Sequence, residues 1–116
     1  MKLLMSVVAA LSLLFTTAAV AESYGKQKVV YHINYDNPKQ QAGALRNIQN
    51  HINAVGAENL DLRVVLHGKG VSLLAKANDD LNFQSKVINL KGQQVGFKVC
   101  QNTLKGKKID YESDLF

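Results

Sequence analysis

The chain has 116 residues, 14 Lys and Arg against 9 Asp and Glu for a net charge of +5, and one cysteine. That length holds one small domain, and a single cysteine excludes an internal disulfide; no Cys or His spacing suits a structural zinc site. The positive charge gathers late, at Lys98, Lys105, Lys107 and Lys108, without the arginines and interleaved aromatics of a nucleic-acid surface, so it is assigned to a solvated face.

The first 21 residues have the pattern of a secretory signal peptide. Lys2 supplies the positive start, Leu3 to Phe15 the apolar stretch, and Ala19-Val20-Ala21 the small residues before a cleavage expected at Glu22. The apolar stretch is short for a bilayer span, which needs about 20 residues. The pattern predicts a periplasmic protein with no membrane attachment after cleavage. Taking 21 from 116 leaves 95 residues, and the net charge falls from +5 to +4 because Lys2 is the only charged residue removed.

Glu22 to Gln27 is a polar leader to a single domain over residues 28–116. Lys28 to Asn34, KVVYHIN, is rich in β-branched residues and predicts a buried strand. Tyr35-Asp36-Asn37-Pro38 ends it. Asn37 is placed to cap a helix whose first residue is Pro38, where the missing N–H costs nothing. Leu45, Ile48, Ile52 and Val55 then form one apolar stripe, and Gly56 stops the helix.

A second strand is expected at Leu60 to Leu66, ending in His67-Gly68-Lys69-Gly70, whose two glycines demand a tight turn. A short helical segment follows at Val71 to Ala77. Asn78-Asp79-Asp80 starts another helix, with Phe83, Val87 and Leu90 at helical spacing and Gly92 ending it. Val95 to Cys100 is the third strand, a helical turn occupies Asn102 to Lys105, and Ile109 to Phe116 reads as an acidic, irregular tail. The order β-α-β-α-α-β-α predicts a small parallel sheet joined by right-handed crossovers and flanked by helices. Three strands leave an exposed edge, and the tail looks too polar to cover Val95, Phe97 and Val99.

Cys100 carries the clearest chemical signal. It ends an apolar run and precedes Gln101-Asn102-Thr103, so its thiol falls where a strand stops and a helical turn begins. Unpaired backbone N–H groups there favour thiolate over thiol, and ligands of open parallel sheets bind beyond the carboxyl ends of strands. The plainer alternative is a small hydrophobe packed at a strand end. Asn34 with Tyr35, His67, and Cys100 with Asn102 should share one rim.

His67 is the natural base or hydrogen-bond partner, or else a residue that stabilises its turn. If the first strand were central, the second and third would flank it about 9–10 Å apart, too far for direct contact within one chain. Lys69 could present charge to a small anion such as a sulfur oxyanion, although His-Gly-Lys-Gly lacks the spacing of a phosphate loop. His32 and His51 receive no function. No metal site, no cofactor and no Ser-His-Asp order is evident.

Several stretches together resemble the DsrE/DsrF-like family, whose fold is also called YchN-like. They are Val29 to Asn34, Ala44 to His51, Leu66 to Gly70 with Leu73-Leu74, and above all Gly96-Phe97-Lys98-Val99-Cys100-Gln101-Asn102-Thr103-Leu104. The resemblance spans nearly the whole mature chain and looks like the exported, single-domain branch. It implies a parallel α/β sheet flanked by helices, often assembled as trimers or hexamers. It also implies sulfur relay, in which a cysteine accepts and passes sulfur as a persulfide; that role falls on Cys100. Relatives usually continue with another strand and a C-terminal helix, which this chain is expected to lack.

The expected function is therefore a periplasmic sulfur-handling protein, a sulfurtransferase-like carrier at most. Its Cys100 would carry a persulfide or a transient mixed disulfide between a donor and an acceptor. The competing expectation is a non-catalytic module that binds a small anion or a protein through Asn34, His67, Asn102 and Lys69, with Cys100 structural. In either case the uncovered sheet edge predicts a homo-oligomer.

Overall fold

Alternating side chains make Gln27–Ile33 a strand, β1, with Val29, Tyr31 and Ile33 turned to the core and Lys28, Val30 and His32 turned away. A computed structural model describes residues 25–116, so the expected signal peptide over residues 1–21 and residues 22–24 lie outside the described residues. The strand starts one residue before the expected Lys28.

Helix α1, Pro38–Val55, has the predicted limits. Asn37 accepts the amide of Gln40 at 3.0 Å, Pro38 occupies the first turn, and Gly56 ends the helix at φ 93°. The stripe of Leu45, Ile48 and Ile52 is buried against the sheet. Strand β2, Leu60–Leu66, follows a short 3-10 turn and buries Leu60, Leu62, Val64 and Leu66. A second 3-10 turn over Gly68–Val71 leads into α2, Ser72–Asp79. Asp80 then caps α3, Leu81–Gly92, through the amides of Asn82 and Phe83. The chain turns at Gln94, which rather than Gly92 takes the positive φ, 67°.

Strand β3, Gly96–Val99, is shorter than expected and runs directly into α4, Gln101–Lys107, with Cys100 as the capping residue. The tail is better ordered than its composition suggests. Asp110 caps a one-turn helix, α5, Tyr111–Asp114, by accepting the amide of Glu112. Leu115 enters the core at 8% exposure, the Phe116 amide donates to the Leu74 carbonyl at 3.2 Å, and Lys91 lies over the Phe116 ring. Val95 is buried, and Phe97 and Val99 are half-buried against the same core.

The three strands are all parallel and ordered β1-β2-β3, so β2 is central and β1 is an edge. Ile33, Leu66 and Val99 stand side by side across the sheet. In a sequential order of this kind, successive right-handed crossovers place their helices on one side. The burial pattern agrees: the core-facing residues of every strand share one face, and α1, α2 and α3 close over it.

Candidate functional site

The strand ends form a single rim. One position beyond the aligned trio Ile33, Leu66 and Val99 come Asn34, His67 and Cys100. The Cys100 amide donates to the Leu66 carbonyl at 3.0 Å and the His67 amide to the Ile33 carbonyl at 3.1 Å, extending the ladder by one step on each side. His67 and Cys100 therefore lie on neighbouring strands, about 4.8 Å apart in the hydrogen-bonding direction. The separation that a central first strand would impose does not arise, because β2 is the middle strand.

The His-Gly-Lys-Gly turn is built by backbone demands. Gly68 has φ 54°, where a side chain is strained. Gly70 lies so close to the end of β1 that a Cβ would strike the Ile33 carbonyl and come 2.9 Å from the Asn34 nitrogen. Both glycines serve to bring the turn against its neighbouring strands. Lys69 is exposed on this turn, and Asn34 and Asn102 are exposed at the ends of the rim.

Thr103, absent from the sequence-derived candidates, is the residue that ties the site together. It is nearly buried, at 9% exposure, and its Oγ1 accepts the Gly68 amide at 2.9 Å. With its oxygen engaged by β2's turn, the hydroxyl proton is free for Cys100. The Thr103 backbone N–H and hydroxyl, followed by the Asn102 N–H, hold the Cys100 thiol below its ordinary pKa; the partial burial of Cys100 works in the opposite sense and is outweighed. Hydrogen bonds to the charged form are what lower such a pKa. A signal for Thr103 lay in its offset: the residue three places after a capping residue carries one of the unpaired amides at the start of the helix.

A buried polar network holds the loop after β1. Gln41, 1% exposed, donates to the Tyr35 carbonyl at 2.8 Å and to Ser72 Oγ at 3.0 Å, and Ser72 donates to Asp36 at 2.8 Å. This clamps the Asn34 end of the rim to the start of α2. Of the remaining histidines, His51 Nδ1 is hydrogen-bonded to the Tyr31 hydroxyl at 3.0 Å, while His32 lies on the helix-free face with its ring 5.6 Å from that of His67. A cleft of about 240 Å³ lined by Leu45, Arg46, Gln49, Lys86, Asn89 and Leu90 contains no rim residue. Among the described residues no cluster of three or more His, Cys, Asp or Glu is arranged for a metal ion, and no helix is long and apolar enough to cross a membrane.

The DsrE/DsrF-like family model matches residues 13–115 of the chain. A solved structure, that of MTH1491, a protein of unknown function from Methanobacterium thermoautotrophicum, is similar at 28% identity. The match covers 78% of this chain and 77% of that one, with a TM-score of 0.67. No curated protein matches the sequence.

Proposed function

Since this chain belongs to the DsrE/DsrF-like family, we propose that it is an exported sulfur-handling protein in which Cys100 carries sulfur as a persulfide. Family membership supports a role related to sulfur relay. The observation that carries the finer reading is the position of the thiol at the start of α4, where the Thr103 amide and hydroxyl and the Asn102 amide favour its thiolate.

The thiolate is the nucleophile in sulfur exchange. Cys100 Sγ attacks the outer sulfur of a donor persulfide, R–S–SH. The new Sγ–S bond forms as the donor's S–S bond breaks, and the donor leaves as R–S⁻, its charge taken from Cys100. The proton stays on the transferred sulfur, and no outside oxidant is required. Passing the sulfur on repeats the same exchange with an acceptor thiolate. In this account Thr103 stabilises the attacking anion, while Asn34, His67, Lys69 and Asn102 line the rim that a donor or acceptor meets. The secretory pattern of residues 1–21 supports export.

The test is intact-mass measurement after incubation with a low-molecular-weight persulfide donor and removal of excess. The wild-type protein should gain one sulfur atom that dithiothreitol removes, and Cys100→Ser should gain none. A wild-type protein that stays unmodified under conditions where a flexible peptide thiol is persulfidated would leave Cys100 structural. The rim would then be a binding surface alone.

A further inference from the structure

The chain has three histidines, and the fold treats them differently. His51 is committed, its Nδ1 hydrogen-bonded to the Tyr31 hydroxyl at 3.0 Å. His32 and His67 are exposed, and their ring nitrogens have no hydrogen-bond partner among the described residues. Yet these two rings lie together, with centroids 5.6 Å apart and planes tilted by 39°.

Strand register produces the pairing. His32 stands opposite Val65, and His67 follows Val65 by two positions, so both side chains leave the same face of the sheet as diagonal neighbours. Backbone contacts hold the spacing. The His67 amide donates to the Ile33 carbonyl at 3.1 Å, and the Gly70 amide donates to the His67 carbonyl at 3.0 Å. Gly70 itself packs against Ile33 and Asn34 with no room for a Cβ. The two Cα positions are thus fixed, while the exposed rings can turn about their own side-chain bonds.

We propose that His32 and His67 chelate one divalent late transition-metal ion, zinc being the type case, through one nitrogen each. The distance fits. Two imidazoles on one tetrahedral zinc, with Zn–N bonds of about 2.0 Å, have ring centres about 5 Å apart. A small rotation of exposed rings closes the observed 5.6 Å to that value. The donor set selects the ion: imidazole nitrogen suits zinc, copper and nickel, whereas magnesium and calcium take oxygen ligands. Oxygen ligands are not on offer, because Asp36 is engaged with Ser72 and Asp61 with Arg63. Among the described residues no third His, Cys, Asp or Glu is arranged with the pair. Two tetrahedral positions therefore stay open to water or an incoming anion, on the rim one strand from Cys100. The site needs no sulfur on Cys100 and stands apart from the carrier reading.

The experiment is zinc titration of the untagged protein against a colorimetric zinc indicator, on a Cys100→Ser background so that the thiol takes no part. This form should bind one zinc per chain, and magnesium should not compete. The second imidazole binds intramolecularly once the first has bound, so His32→Gln or His67→Gln should each weaken zinc binding by about 100-fold. His51→Gln should leave it unchanged, and circular dichroism shows that each variant is folded. A second measurement needs no histidine variant: zinc should shift the NMR ring signals of His32 and His67 together and leave those of His51 in place. A Cys100→Ser protein that binds no zinc would overturn the proposal. So would zinc binding that survives in the folded double variant His32→Gln with His67→Gln, or ring shifts at only one of the two histidines.

Discussion

Thr103 Oγ1 accepts the amide of Gly68 at 2.9 Å, and this one bond joins the turn after β2 to the start of α4 after β3. The two segments are far apart in sequence, and the residues they position, His67 and Cys100, sit side by side on the rim. Removing the hydroxyl should therefore act on the site as a unit. Thr103→Val leaves the Gly68 N–H without a partner and should cost about 1–2 kcal/mol. Hydrogen exchange at the Gly68 amide should accelerate relative to wild type. Unchanged protection at Gly68 would show that the bond contributes nothing.

Gly70→Ala should be far more damaging than its size suggests. The added methyl meets backbone, at the Ile33 carbonyl and the Asn34 nitrogen, where no side chain can move aside. The turn or the end of β1 must shift, at a cost on the order of 3 kcal/mol or more, among the largest for a point change. Gly68→Ala, with φ 54° but open space, should cost only about 1–2 kcal/mol. Denaturant melts of the two variants check the order.

Gln41 is buried for its hydrogen bonds. Gln41→Leu keeps the volume but strands the Tyr35 carbonyl and takes a partner from Ser72. A loss of about 1–3 kcal/mol is expected, read as a lower midpoint in a thermal or urea melt. Gln41→Glu puts a carboxylate against that carbonyl and should be worse.

These residues also show where sequence reasoning reaches and where it stops. Asn37, Pro38 and Asp80 declare their helices because a cap is a local arrangement, complete within four residues. The acidic tail misleads because its polar residues face outward while Leu115, one residue from the end, supplies the burial. Strand order escapes altogether: Leu60 to Leu66 has the same composition whether it is central or at an edge. The adjacency of His67 to Cys100 follows from that order. Cys100 was visible as the lone thiol at a strand end, but Thr103 looked like an ordinary helix starter, since its partner Gly68 lies 35 residues earlier.

His67 neighbours Cys100 across the sheet, yet the groups that lower the thiol's pKa are those of Thr103 and Asn102. His67→Gln should therefore leave the pH midpoint of thiol reactivity where it is, while Thr103→Val raises it. Alkylation rates measured against pH on both variants check this. A midpoint that moves with His67 instead would make the imidazole the partner of the thiol.

The central claim is that the folded protein favours the Cys100 thiolate, and the most direct measurement is the pH dependence of iodoacetamide alkylation in native and urea-unfolded protein. The pKa is lowered on folding, so the thiolate stabilises the native state above the unfolded pKa, and that contribution is lost as pH falls through the folded value. Between the two values the native thiol should be largely ionised while the unfolded one is not. The native midpoint should accordingly lie below the unfolded midpoint, which is expected near the ordinary thiol value of about 8.5. A native midpoint at or above the unfolded one, or a thiol that reacts only after unfolding, would contradict the account.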